Sequence, residues 1–120
     1  MICRPKQRGQ VYIVDAHPND YNHLARETHQ QGTDLVFFRS GREALRSNPD
    51  YSPAMWVVNL QLPDMRGTDL QAMLRTRGSL SPVIMIGDQY CVDDEINARS
   101  AGAALYFVKP IHAGMLFATC

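Results

Sequence analysis

Four residues at the ends of apolar runs could do chemistry together. Asp15 closes "VYIVD", Asn59 lies near the end of "AMWVVNL", Gly87 closes "PVIMIG" and Lys109 follows "ALYFV". Brought to one place, the carboxylate and the ammonium would neutralise each other, with the amide hydrogen-bonded beside them. The stretch "AMWVVNLQLPDMRG", residues 54–67, poses the question. An apolar run and a Leu-Pro-Asp-Met-x-Gly loop present position 59 as a reactive group would be presented. The residue there is an amide, a far poorer nucleophile than a carboxylate and without its charge.

For these four to meet, the apolar runs must be neighbouring strands. "VYIVD" (11–15) is short and β-branched at three of its first four positions, the mark of a buried strand. "DLVFF" (34–38), "AMWVVNL" (54–60), "PVIMIG" (82–87) and "ALYFV" (104–108) follow as strands two to five. Helical patterns separate them. Pro18 suits a first turn, Tyr21, Leu24, Ala25 and Thr28 fall at helical spacing, and Gly32 supplies a stop. "SGRE" (40–43) has capping-box form. Leu70, Met73 and Leu74 mark the inner stripe of a third helix. Asp93 or Asp94 is expected to cap a short fourth helix that ends at Gly102. The spacing predicts an α/β fold, a doubly wound five-stranded parallel sheet with helices on both faces. In such sheets the functional crevice lies at the carboxyl ends of the strands, where Asp15, Asn59, Gly87 and Lys109 stand. After Lys109, "IHAGMLFATC" opens a fifth helix that runs out without a stop signal, which predicts a truncated last helix and a domain cut from a longer protein. Residues 1–8 read as a tail and residues 9–120 as one domain.

Composition narrows the classes. Twelve basic and twelve acidic residues cancel, which argues against direct contact with nucleic acid. Arg4, Lys6 and Arg8 are the nearest thing to a basic cluster and read as a solvated tail. No apolar run approaches the roughly 20 residues that span a bilayer, and "MICRPKQRG" has no apolar core of a signal peptide. Cys3, Cys91 and Cys120 are odd in number and widely spaced, which suggests neither a disulfide framework nor a zinc site, and reduced thiols in a cytoplasmic protein are expected. Trp56 reads as core. His17, His23, His29 and His112 are scattered and read as surface residues, with His17 beside Asp15 a candidate replacement ligand. Asp64 reads as a turn former.

"VYIVD", "GREAL", "LPDMRGTDL", "PVIMIG", "AGA" and "YFVKP", in this order, resemble the receiver domain of two-component response regulators over about residues 9–120. The resemblance implies a flavodoxin-like, receiver-type fold and phosphoryl transfer from a histidine kinase to an aspartate ending the third strand. It implies magnesium held by two acids after the first strand, a hydroxyl ending the fourth strand and a lysine ending the fifth. Asp15 matches the first acid, and Lys109 with Pro110 matches the lysine and its cis bond. Ala16 stands in place of the second acid, Asn59 in place of the phosphoacceptor and Gly87 in place of the hydroxyl. Tyr106 matches an aromatic that turns inward on phosphorylation, and is read as packed against the fourth helix or as part of a partner surface.

These departures predict no phospho-aspartate at Asn59 and absent or weak magnesium, because that ion prefers charged oxygen ligands. Asp88 would repel an incoming phosphoryl group. Lys109 is expected to bridge Asp15 and the Asn59 side-chain oxygen. Neither Asp64 nor Asp88 is expected to substitute as acceptor. The reading favoured is a regulatory domain of a signal transduction protein that acts by phosphorylation-independent protein interaction, with a signalling protein or fused effector as partner. Ala104 and Leu105 make the fourth helix, fifth strand and fifth helix a candidate homodimer face. The alternatives are a receiver still phosphorylated by an unusual route, as a phosphorelay switch, and an enzyme. For the enzyme no Gly-rich phosphate loop, nucleophile elbow or metal motif speaks.

Overall fold

The computed structural model describes residues 9–47 and 53–117. Arg4, Lys6, Arg8, Cys3 and Cys120 lie outside the described residues. Five strands alternate with helices: β1 (Gln10–Val14), α1 (Asn22–Gln30), β2 (Asp34–Phe38), α2 (Gly41–Arg46), β3 (Met55–Asn59), α3 (Gly67–Thr76), β4 (Val83–Gly87), α4 (Val92–Ser100), β5 (Leu105–Val108) and α5 (Ala113–Phe117). All pairings are parallel. The strand order is β2-β1-β3-β4-β5, so the order reverses between β1 and β3, where Asp15 and Asn59 leave the sheet.

The central strands are apolar because both their faces are covered. Val11, Ile13, Met55, Val57, Ile84 and Ile86 face one side, packed with Tyr21, Leu24, Ile111 and Leu116 from the α1 and α5 side. Tyr12, Val14, Trp56, Val58 and Met85 face the other, packed with Ala44, Leu70, Leu74 and Ala98 of α2, α3 and α4. Trp56 is core, as its strand context implies, set edge-on to Tyr12 at 5.0 Å between ring centres.

Local signals place most boundaries. Ser40 caps α2, its hydroxyl accepting the Glu43 backbone N–H at 3.1 Å. Asp64 does more than form a turn. Its carboxylate accepts the backbone N–H groups of Gly41 and Arg42 at 3.0 and 2.8 Å, and so ties the β3–α3 loop to the positive end of α2. Gly67 is required by close approach, since a Cβ there would lie 2.5 Å from the Asn59 carbonyl oxygen. That contact seats α3 directly against the end of β3.

Three expectations need correction. Pro18 opens a short 3-10 turn (Pro18–Tyr21) before α1, because its side chain and the following residues close a tighter turn than the α-helix. Met73 is exposed, and the inner stripe of α3 is Leu70, Gln71 and Leu74. The Gln71 carboxamide is buried with no hydrogen-bond partner among the described residues. The fourth helix is capped by neither Asp93 nor Asp94. Cys91 holds the cap position without a side-chain bond, and the two acids lie within the first turn, where their negative charge is favourable beside the positive end of the helix dipole.

Candidate functional site

Asp15, Asn59 and Gly87 reach the carboxyl edge at the ends of buried strands, and Lys109 follows the half-buried β5. Asp15 is only 2% exposed, so its charge needs partners close by. It has four. Oδ1 accepts the His17 backbone N–H at 2.8 Å. Oδ2 accepts the Tyr21 hydroxyl at 2.8 Å, the Asn59 amide at 2.9 Å and the Lys109 ammonium at 2.9 Å. Burial alone would push the Asp15 carboxyl up, but the bonds from Asn59, Lys109, His17 and Tyr21 outweigh it and hold it below the ordinary value of 3.8. Burial, and then the charge of Asp15, push the Tyr21 phenol up, so it stays a donor.

Lys109 fills the centre. Its Nζ lies 2.9 Å from Asp15, 2.7 Å from Asp20 and 2.8 Å from Asp88, and 5.4 Å from the centre of the Tyr21 ring. Burial disfavours the ammonium, yet the contacts with Asp20, Asp88 and Asp15 outweigh it and raise Lys109 above its ordinary 10.5. The Lys109–Pro110 bond is cis, as the resemblance implies.

The expected bridge from Lys109 to the Asn59 oxygen is not formed. Asn59 turns its Nδ2 toward Asp15 and, at 3.2 Å, Asp88, while its Oδ1 accepts the Gln61 backbone N–H at 2.8 Å. The reason is electrostatic. A carbonyl aimed at two carboxylates would be repelled, whereas the N–H satisfies both. Asp88 therefore has an attractive place in the site, and Asp20 joins it although nothing in the sequence pattern marked it out. It sits in the tight turn that Pro18 opens and, although half exposed, reaches Lys109 from there. His17 contributes through its backbone, with its ring exposed. The half-buried Ala16 adds no polar group.

Gly87 and Tyr106 are sterically matched. Tyr106 is buried, and a Cβ added at Gly87 would lie 2.7 Å from its hydroxyl oxygen. The hydroxyl points toward the Gln89 carbonyl at 3.5 Å, and the ring centre lies 6.2 Å from that of Tyr90. Beside them a cleft of about 290 Å³ is lined by Asn59, Gln61, Gly87, Asp88, Tyr90 and Asp94 among others. Cys91, at its rim, is a free thiol.

The sequence matches the response regulator receiver domain family over residues 11–120. The chain belongs to this family. Among similar curated proteins are the transcriptional regulatory protein KdpE of Mycobacterium tuberculosis, 32% identical over 83% of this chain and 44% of that regulator, and the two-component response regulator PhoP of Pseudomonas aeruginosa, 32% identical over 74% of this chain and 40% of that protein. The receiver domain thus spans less than half the length of these relatives. Among solved structures, the chemotaxis response regulator CheY4 of Vibrio cholerae shares the fold with a TM-score of 0.78 and 19% identity, covering 94% of this chain and 96% of that one. The BeF3-activated DrrB receiver domain does so with a TM-score of 0.77 and 22% identity, covering 93% of each.

The residues at the three positions to which the family resemblance assigns magnesium, 15, 16 and 59, do not fit that ion. Magnesium needs several oxygen ligands at about 2.0–2.1 Å in octahedral array. Here the Asp15 oxygens already hold four donors, Ala16 has no ligating oxygen and Asn59 offers an N–H.

Two measurements test this geometry. Lys109→Met would leave Asp15 buried without its cation and lower the unfolding free energy by about 3 kcal/mol near neutral pH. Because the carboxyl of Asp15 is held below 3.8, its contribution is present above that pH and lost as the pH falls through the folded value. Because Lys109 is raised, its contribution is present below 10.5 and lost only as the pH rises beyond its folded value. The difference between wild type and Lys109→Met in urea unfolding should therefore be flat from about pH 5 to 9 and shrink toward pH 3. A difference that persists undiminished at pH 3 would assign it to lost packing instead. Gly87→Ala should cost about 1–3 kcal/mol and displace the Tyr106 ring, seen as changed ring shifts in NMR of tyrosine-labelled protein. An unmoved Tyr106 spectrum would refute the steric coupling.

Proposed function

We propose that this receiver domain is a regulatory interaction module that takes up no phosphate at position 59. The observation that carries the reading is the pairing of the Asn59 amide and the Lys109 ammonium on the buried Asp15 carboxylate. The ammonium is fully engaged by three carboxylates of this chain, and the side chain at 59 lacks the oxyanion that would attack phosphorus. The misfit of the donor set to magnesium supports the same conclusion, so we expect that ion to bind weakly or not at all. In this reading Asn59 stands at the phosphoacceptor position, Asp15 and Ala16 at the acidic pair, and Gly87, Tyr106 and Lys109 at the phosphate-contacting and switch positions. The domain would be non-enzymatic and work in the cytoplasm as the regulatory part of a longer regulator, with an effector domain or signalling protein as partner. No net charge favours nucleic acid as a direct ligand.

A second reading has one observation in its favour. Asp88 is an exposed carboxylate on the rim of the same cleft, in contact with Lys109 and Asn59, and is the group an unusual phosphotransfer would use. Incubation with acetyl phosphate and magnesium, followed by intact-mass measurement, separates the two. We expect the mass to stay unchanged. A stoichiometric gain of one phosphate would overturn the first reading, and mapping it to Asp88 would establish the second.

The exposed apolar residues of α4 and its neighbours support a partner surface there. Tyr90, Val92 and Ile96 are exposed apolar residues, the last two one helical turn apart. Ala104 is exposed beside β5, whereas Leu105 is half-buried against the core. If this face carries self-association, sedimentation velocity should show a concentration-dependent dimer that Ile96→Glu shifts to monomer. Equal behaviour of the two proteins would move the contact elsewhere.

A further inference from the structure

Away from the Lys109 cluster, three metal-ligating side chains meet on the face formed by α1 and α5. His23 and Glu27 are one turn apart on α1. His112 comes from the segment between β5 and α5, far away in the chain. His23 Nε2 lies 3.5 Å and His112 Nδ1 lies 3.7 Å from the same oxygen, Glu27 Oε1. All three ligand atoms fall within 4.8 Å of one another.

The geometry points to a binding site for a divalent transition ion of the zinc class, held by His23, Glu27 and His112. Zinc binds imidazole nitrogen and carboxylate oxygen at about 2.0–2.2 Å. A tetrahedron of that size has edges of about 3.4 Å, close to the two nitrogen–oxygen separations. The imidazoles and the carboxylate therefore need only small side-chain rotations to share one ion. Glu27 is held for the task, because its Oε1 also accepts the Ala113 backbone N–H at 3.2 Å, the kind of outer bond that orients a ligating carboxylate. The two rings meet edge to face, with centres 5.2 Å apart, which keeps both nitrogens near the same point. His23 and His112 are exposed and Glu27 is half-buried, so the ion would reach the site directly and keep water at its remaining position. Two nitrogens with one oxygen favour zinc and its neighbours in the transition series over magnesium or calcium, which take oxygen sets.

Occupancy has a structural consequence. His112 lies three residues beyond Lys109, and His23 two beyond Tyr21, the hydroxyl of which is bonded to Asp15. An ion here would clip the start of α5 to α1, beside two of the segments that carry the Lys109 cluster. The site depends on neither phosphate nor the reading given above for position 59.

The test uses the untagged protein, stripped with EDTA. Zinc chloride is titrated by calorimetry, and cobalt chloride is followed by its visible absorption. We expect one equivalent bound, a rise in Tm with zinc that EDTA reverses, and visible cobalt bands. His112→Ala and His23→Ala should each weaken binding by more than about tenfold, at least the loss that an outer-shell partner costs, with metal-free Tm little changed because both side chains are exposed. Glu27→Gln, which keeps an acceptor for Ala113, should weaken it as well. Absence of binding to the wild type would overturn the proposal. So would zinc binding that survives unchanged in both histidine variants, which would place the ion on cysteine thiols or elsewhere.

Discussion

The carboxylate of Asp15 is buried at the point where the strand order reverses, and a buried charge must be answered by donors within reach. Asn59 and Lys109 answer it together, and the ammonium of Lys109 is the point around which the rest of the carboxyl edge is arranged. One ammonium draws together the end of β1, the 3-10 turn before α1, the residue after β4 and the end of β5. Tyr21 belongs to both layers, since its ring packs in the core and its hydroxyl closes the Asp15 shell. A pair of this kind adds little net stability over an apolar substitute of the same shape. What it does strongly is penalise any arrangement that leaves one member alone. The loops of the edge are therefore held in one register by the cost of every other register.

Positions that look like separate losses against the family pattern turn out to be mutually adjusted. With an amide at 59, an N–H faces Asp15 and Asp88, and those two carboxylates can share Lys109 without a further negative group between them. With no Cβ at 87, the Tyr106 hydroxyl occupies the space above the backbone. The Asn59 amide is bonded to both carboxylates and the Tyr106 ring packs over Gly87, at the edge of the cleft.

Much of the fold was legible because it rests on local signals. Short β-branched runs and the family motifs located every strand to within a residue, and helical spacing with Ser40 as a cap gave the order of the helices but not all their ends. The misses have physical causes. Asp20 was hidden because a 3-10 turn advances about 120° per residue where an α-helix advances about 100°, so the same residue faces the pocket in one and solvent in the other. Met73 and Gln71 exchanged roles because both lie at the border of the α3 stripe, where a small helix rotation decides burial. The sign of Asp88 alone implies repulsion, and only its 2.8 Å approach to Lys109 makes its place attractive.

Local sequence determined the alternation of strands and helices, the family and which functional groups stand at the strand ends, since each of these follows from neighbours a few residues apart. It also determined what is chemically absent there, since no folding turns an amide or a glycine into a carboxylate or a hydroxyl. Only the tertiary structure decided which way the Asn59 amide points, that three acids share one lysine, and that His112 meets His23 and Glu27. Those outcomes depend on distances between segments remote in the chain. Electrostatic attraction, repulsion and steric fit act on such distances, and only the packed sheet sets them.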